Sequence, residues 1–223
     1  MLGVLQAIWQ ADGAFPSGAF AFSYGIEGAL ALRRDMTLSD FEALVAAMLK
    51  QRWASYDRVA LLWSYRAGGD LGAIAAVDRE VEASTLIETL RTGSRRNGGA
   101  YLASHARLGQ PLAIALRDDV QAGNCLGHIA VMQGAVWSEL GLDEAMAQLC
   151  SGYAAASGVI TAAIRLGAMG ALQGQGVLQR CLPLIAQLAV QEVPDDAELS
   201  SFVPFLDIAA ARHAQADLRL FAN

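Results

Sequence analysis

The side chains best suited to chemistry in this 223-residue chain are few and scattered. Cys125 and His128, in the run CLGH, stand at i and i+3, a spacing that on a helix puts two ligands on one face. A structural zinc site takes four ligands, and no second pair accompanies them, because His105 and His213 lie far off in the chain. A buried thiol beside a hydrogen-bonded histidine accounts for the same two residues, free cysteine being among the most buried residue types. Ser23, in AFSYG, misses the GxSxG nucleophile elbow by one residue: Ala21 stands where the first glycine belongs, and no strand precedes the turn to strain it. A phosphate-binding Walker loop closes on Lys-Ser or Lys-Thr, whereas the single lysine, Lys50, sits in MLKQR. GQG at 174–176 lacks the strand and the third glycine of a dinucleotide fingerprint. Asp118-Asp119 and Asp195-Asp196 read as solvated helix ends and loops, not as a paired acid and base. These residues assign no reaction, cofactor or metal, and the chain is expected not to be an enzyme. The rival expectation is a small helical metal-binding protein or enzyme using Cys125, His128 and Ser23.

The elements that would position these groups are helical from end to end, filled with Ala, Leu, Glu, Gln and Arg, which favour helix. The clearest start is MTLSDFEALVAAMLKQRW, where Thr37 and Ser39 offer caps and Ser39 with Glu42 reads as a capping box. Phe41, Leu44, Val45, Met48 and Leu49 then form one apolar stripe, which runs on through Trp53, Ala60, Leu61 and Trp63 to a stop at RAGGD. Further helices are predicted at about 70–92, 97–108, 124–139, 143–156, 158–169, 174–191 and 195–218. Asp70, Asn124, Asp143 and Asp195 are their N-caps, with breaks at RNGG 96–99, AGN 122–124, LGL 140–142 and GQG 174–176. No β-branched run alternates with polar residues. The pattern predicts an all-α protein, one compact bundle of about nine or ten helices, with residues 1–223 forming a single domain free of repeats and long linkers.

Composition narrows the partners. The chain is 54% hydrophobic and 17% charged, against roughly 45–50% and about 25% for ordinary domains, so a membrane or another protein is needed to cover the excess. Residues 120–138 and 145–164 are uncharged runs near the length of a bilayer span. They carry Gln121, Asn124, His128 and Gln133 in one and Gln148, Ser151, Ser157 and Thr161 in the other, polar groups that are costly in hydrocarbon. Neither has a Lys/Arg-rich flank. Buried helices are expected, with an integral membrane protein as a weaker option. A net charge of −6 and a pI near 5.0 argue against nucleic acid, which requires clustered cations. Of 16 cations, 15 are Arg, a bias that follows from an Ala/Arg-rich coding sequence or from arginine's aptness for interfaces. Three cysteines without a CxxC fit a reducing cytosol, and MLGVLQAIWQADG lacks the basic region of a signal peptide. A cytoplasmic location is expected.

The segment QADGAFPSGAFAFSYGIEGAL, residues 10–30, combines four aromatics with several glycines and only two charges, Asp12 and Glu27. Phe15-Pro16-Ser17-Gly18 is predicted to turn, proline setting one dihedral and glycine freeing another. A helix after it would carry Phe20, Phe22 and Tyr24, which cannot all face one side. Some should pack inward and at least one should face outward, toward another protein.

With the residues before it, LQAIWQADGAFPSGAFAFSYGIEGAL resembles the N-terminal signature of the urease accessory protein UreF family. FLDIAAARHAQADLRLF, 205–221, resembles that family's C-terminal end. Between them TLIETLRTG, GHIAVMQGAVWSELG and GVITAAIRLGAMGALQGQGVL follow the family order, so the resemblance covers essentially the whole chain. Ala214, Ala216 and Leu218 depart from the family's usual Glu, Tyr and Ser, and the chain ends Ala222-Asn223, while Arg219, Leu220 and Phe221 keep the pattern. The resemblance implies an all-helical, homodimeric, non-catalytic protein without a cofactor. It would join UreD (also called UreH) and the GTPase UreG on the urease apoprotein, in a complex that couples GTP hydrolysis to nickel insertion. It also implies that Arg212, His213, Arg219, Leu220 and Phe221 dock into the UreD-type partner. Phe15, Pro16, Gly18, Phe20, Ser23, Tyr24 and Glu27 would form a second partner or dimer surface. Arginine and aromatic side chains are the types that anchor interfaces; the plainer alternative is that Phe221 folds back on the chain's own core.

Overall fold

The structure, a computed structural model, describes residues 1–213 and residue 221. Its longest rod starts at Thr37, whose hydroxyl accepts from the Asp40 N–H at 3.2 Å while the Asp40 carboxylate accepts from the Thr37 N–H at 2.8 Å. This reciprocal cap sits two residues before the expected Ser39–Glu42 pair, since Asp at the third helical position reaches back as Glu would. The helix α3 (Leu38–Met48) widens into a π-helical stretch, Leu49–Asp57, and continues as α4 (Arg58–Arg66). An extended segment lies along this stretch, Phe202 N–H donating to Gln51 O at 2.8 Å and Ser200 N–H to Ser55 O at 2.9 Å. Wider turns leave carbonyls open to such outside donors.

Around the rod stand α1 (Leu2–Ala11), a single 3₁₀ turn (Ala19–Ala21), α2 (Ile26–Leu32), α5 (Leu71–Ser84), α6 (Glu88–Arg107), α7 (Pro111–Ala122), α8 (Ile129–Glu139), α9 (Glu144–Arg165), α10 (Ala171–Ala189) and α11 (Pro204–His213). The chain is 73% helical, with ten helices when the rod is counted once and no strand among the described residues, so the all-α expectation holds. Asp70 and Asp143 cap as expected, accepting from Ala73 N–H at 3.0 Å and Met146 N–H at 2.7 Å.

Several boundaries differ from the sequence pattern: α10 (Ala171–Ala189) runs through the expected break at GQG 174–176, and the expected helix over 70–92 is divided between Ser84 and Glu88. RNGG does not break α6: a Cβ on Gly98 would lie 2.0 Å from the Gly127 carbonyl oxygen, so this glycine serves a close approach. The expected gap between 156 and 158 is likewise absent, and α9 runs through it. Helix α7, which the periodicity did not suggest, opens with Pro111 at its first position, where a missing N–H costs nothing. Asn124 and Asp195 cap no helix: α8 begins at Ile129 after His128, and the expected helix over 195–218 begins only at Pro204 within the described residues.

Helix α9 is the one described helix long and apolar enough to cross a bilayer. It packs instead against α1, α4 and α10, with over half of that apolar window buried, as a core helix does. Helix α1 is tied to the bundle by Gln10, whose Oε1 accepts from Trp137 Nε1 at 2.8 Å and Tyr101 OH at 3.3 Å. His105 Nε2 lies 3.2 Å from the same oxygen. This carbonyl can only accept, so Nε2 carries the proton and Nδ1 is left buried without a partner. Burial pushes the His105 pKa down to about 4. The unfolded chain therefore binds a proton between roughly pH 6.5 and 4 that the native chain does not, so stability is lost as the pH is lowered through that window. Urea unfolding of wild type and His105→Phe at pH 7 and pH 4.5 checks this. Wild type should lose about 1–3 kcal/mol more than the variant on acidification.

Candidate functional site at the meeting of the two chain ends

The aromatic segment after α1 is placed residue by residue against α6 and α9. Phe15 inserts its ring among Trp9, His105 and Tyr101, with centroids 5.3, 5.0 and 6.3 Å away. The Pro16 carbonyl accepts from Ser104 Oγ at 2.6 Å. Gly18 turns the chain at φ +83°, pressed so near α6 that a Cβ would meet Ala100 Cβ at 2.6 Å. The expected turn is present. The expected helix carrying Phe20, Phe22 and Tyr24 is not: after the 3₁₀ turn the chain passes through Tyr24 at φ +54° and Gly25 at φ +84°, and α2 starts at Ile26. Tyr24 is the only non-glycine at positive φ among the described residues, a conformation that costs an L-residue about 1–2 kcal/mol. Its ring lies on Gly158 of α9, where a Cβ would come within 2.8 Å of Tyr24 Cε2. Burial, partly offset by a hydrogen bond from Asn97, pushes its phenol pKa up to about 12. The three aromatics divide as expected in direction: Phe22 is buried, Tyr24 half-buried and Phe20 70% exposed.

The other end of the chain arrives at the same place. Helix α11 packs on α2. Phe221 is 6% exposed, and its N–H donates to Glu27 Oε2 at 3.2 Å. Arg165, at the end of α9, joins the two segments. Its guanidinium carbon lies 3.5 Å from the Phe20 ring centroid and 4.4 Å from that of Phe221, and it donates to the Phe20 carbonyl. Ser23 is fully buried at this junction. On the outer side Phe202, Phe205, Ile208 and Arg212 are exposed. His213 ends α11, whereas Arg219 and Leu220, with the departures Ala214, Ala216 and Leu218, lie outside the described residues. Beneath the junction, α6, α9 and the segment from Gln10 to Tyr24 enclose a cavity of about 500 Å³. Arg52 and Asp57 line it, 3.4 Å apart, the Asp57 pKa raised by burial against the pull of Arg52.

Cys125 and His128 are directed elsewhere. Asp78, fully buried, accepts from Cys125 Sγ at 3.0 Å and from the N–H groups of Leu126, Gly127 and His128 at 2.5, 2.8 and 2.9 Å. Burial and the neighbouring Asp78 charge push the Cys125 thiol up to about 12, so it stays protonated and donates. The His128 ring bridges Ser94 Oγ at 3.0 Å and Glu82 Oε2 at 2.8 Å. Among the described residues no three His, Cys, Asp or Glu side chains gather as a metal site would require.

The family model for UreF matches residues 37–182, well over half of the chain. This chain belongs to the UreF family. It is 32% identical over 216 residues to a urease accessory protein UreF of Trichodesmium erythraeum (strain IMS101), covering 95% of this chain and 93% of the relative. To the urease accessory proteins UreF of Yersinia pestis (strain Pestoides F) and Yersinia pseudotuberculosis serotype I (strain IP32953) it is 29% identical over 217 residues, covering 95% of this chain and 94% of each relative. The family match begins after α2 and ends within α10, while the similarity to these relatives extends over 95% of the chain. Sequence reasoning missed Arg165, Arg52, Asp57 and Asn97, which sit in unremarkable helical runs. Arg165 ends the segment GVITAAIR, where its charge reads only as a helix C-terminal cation.

Arg165 stacks on the rings of exposed Phe20 and buried Phe221, contacts worth about 0.5–1 kcal/mol each. Arg165→Ala is expected to lower stability by about 1 kcal/mol in urea unfolding, with Arg165→Lys recovering only part of it because lysine lacks the planar fork.

Proposed function

We propose that this chain is a urease accessory protein that acts as a non-catalytic scaffold. It bridges a UreD-type partner and the UreG GTPase on the urease apoprotein, so that GTP hydrolysis drives insertion of nickel, the cargo, into the urease active site. The names of its relatives support the accessory role. The observation that carries the scaffold reading is the meeting of the N-terminal segment and α11 at one junction, with Phe20, Phe202, Phe205 and Ile208 left exposed beside it. Aromatic anchors on a rigid frame are what protein interfaces use. The apolar excess of the chain has a second outlet on α1, where Leu2, Leu5 and Ile8 are exposed; such a face suits a homodimer or a second partner, in the cytoplasm where these proteins would work.

Phe221 has two roles open to it under this proposal. Free, it rests against Arg165 and Glu27; engaged, it would leave that seat and dock into the partner, to which Arg219 and Leu220 would also contribute. The test is co-purification with UreD and UreG homologues, comparing the full chain with one truncated before Asp217. The full chain should retain UreD and the truncated chain should lose it. Failure of the full chain to hold UreD overturns the scaffold proposal, whereas equal retention by both removes only the C-terminal docking assignment.

A further inference from the structure

One arginine holds both ends of the chain. Arg165 closes α9, and its guanidinium carbon lies 3.5 Å from the Phe20 ring centroid and 4.4 Å from that of Phe221. Ordering a long arginine side chain costs rotamer entropy, and here one ordering serves two rings, so each ring helps to set the group that the other needs. The same guanidinium donates to the Phe20 carbonyl, and thus grips that residue by side chain and backbone together. Phe20 is otherwise 70% exposed. Phe221, by contrast, is buried in the apolar cluster of Ile26 and Leu206, with its N–H on Glu27.

Phe20 lies in a short strap between two left-handed turns, Gly18 at φ +83° and Tyr24–Gly25 at φ +54° and +84°. Before Gly18 the chain is wedged by the Phe15 ring and tied through the Pro16 carbonyl. Within the strap, Ala21 N–H donates to Gly18 O at 3.2 Å. The positive φ of Tyr24 is unfavourable for an L-residue, so contacts hold the strap in place and its backbone does not. On its inner side Phe22 is buried and lines the cavity of about 500 Å³, across from Thr89, Gly93, Asn97 and Tyr101, the inward stripe of α6. The charged groups at this cavity are Asp12, Arg52, Asp57 and Arg165. Asp12 accepts from Ala14 N–H at 2.9 Å and Arg52 pairs with Asp57, while Arg165 bonds to the strap. We propose that Arg165 is a shared latch coupling the two chain ends. While Phe221 is seated, the strap is held over the cavity; when Phe221 leaves, the guanidinium is freed on one face and the strap opens more readily. The two states differ in their contacts at Arg165, as such a shift requires, and the coupling acts equally in the other direction. It lies within the chain and stands apart from the scaffold proposal; only its use by a partner that takes Phe221 rests on that reading.

The test is amide hydrogen exchange of the full-length chain, followed by ¹H–¹⁵N NMR with one reporter at each end. Ala21 N–H reports on the strap, and Phe221 N–H, which donates to Glu27 Oε2 at 3.2 Å, reports on the seat. Phe221→Leu keeps an apolar side chain in the seat and removes the ring. Ala21 should then exchange about two- to fivefold faster, the effect of losing one cation–ring contact. Phe20→Ala should speed exchange at Phe221 by a similar factor; because Phe20 is exposed, this arm stands even where Phe221→Leu disturbs folding. In Arg165→Ala both amides should exchange faster from the outset, and adding either substitution should change the distant amide no further. An unchanged distant reporter in either single variant overturns the proposal. So does a distant effect that persists undiminished in the Arg165→Ala background, which would place the coupling in the packing of α11 on α2.

Discussion

The Asp78 carboxylate is the contact on which the rest of the arrangement depends. Fully buried, it receives three successive backbone N–H groups and the Cys125 thiol, so its charge is held by donors and not by a cation. Charge-assisted bonds of this kind are roughly twice as strong as neutral ones, and removing the acceptor would strand several donors together. The clamp fixes where α8 begins. It also fixes the Gly127 carbonyl against which α6 lies too close for any side chain at Gly98. His128 then ties the start of α8 to Ser94 on α6 and Glu82 on α5, and Glu82 meets Arg95 at 3.2 Å. The inward stripe of α6, and with it the cavity wall, is set by this corner.

On the opposite side of that wall the chain ends are held by different forces. The N-terminal segment is wedged by ring packing around Phe15 and by the left-handed turns at Gly18, Tyr24 and Gly25. Tyr24 keeps an unfavourable backbone because Gly158 offers its ring a flat seat. Strain of this sort persists only where the surroundings over-determine it. Phe221 is buried in the same apolar cluster as Ile26 and Leu206, with one guanidinium face and one carboxylate beside it.

The helical class was legible because it rests on composition and period, and Asp70 and Asp143 capped where local chemistry predicted. What escaped the sequence was decided across space. Gly98 looked like a helix stop and is a contact with another loop; α7 was hidden because Pro111 reads first as a breaker; the region before Pro204 stayed extended because the π-helical stretch had carbonyls to fill. The turn at Phe15–Gly18 and the division of its aromatics between inside and outside were readable from residue types, but the positive φ at Tyr24 depends on Gly158, far along the chain. Cys125 and His128 were visible as a pair, yet Asp78, the residue that uses the thiol, gives no signal within DREVE. The meeting of Phe20 with Phe221 over Arg165 could not be inferred from either end alone.

The central claim is that the N-terminal segment and α11 form one surface for a partner. Hydrogen–deuterium exchange on the chain alone and in complex with a UreD homologue tests it most directly. The account predicts that peptides covering residues 13–27 and 200–213 gain protection together on complex formation, while those covering α7 stay unchanged. Protection confined to α7, or to only one of the two segments, would contradict it.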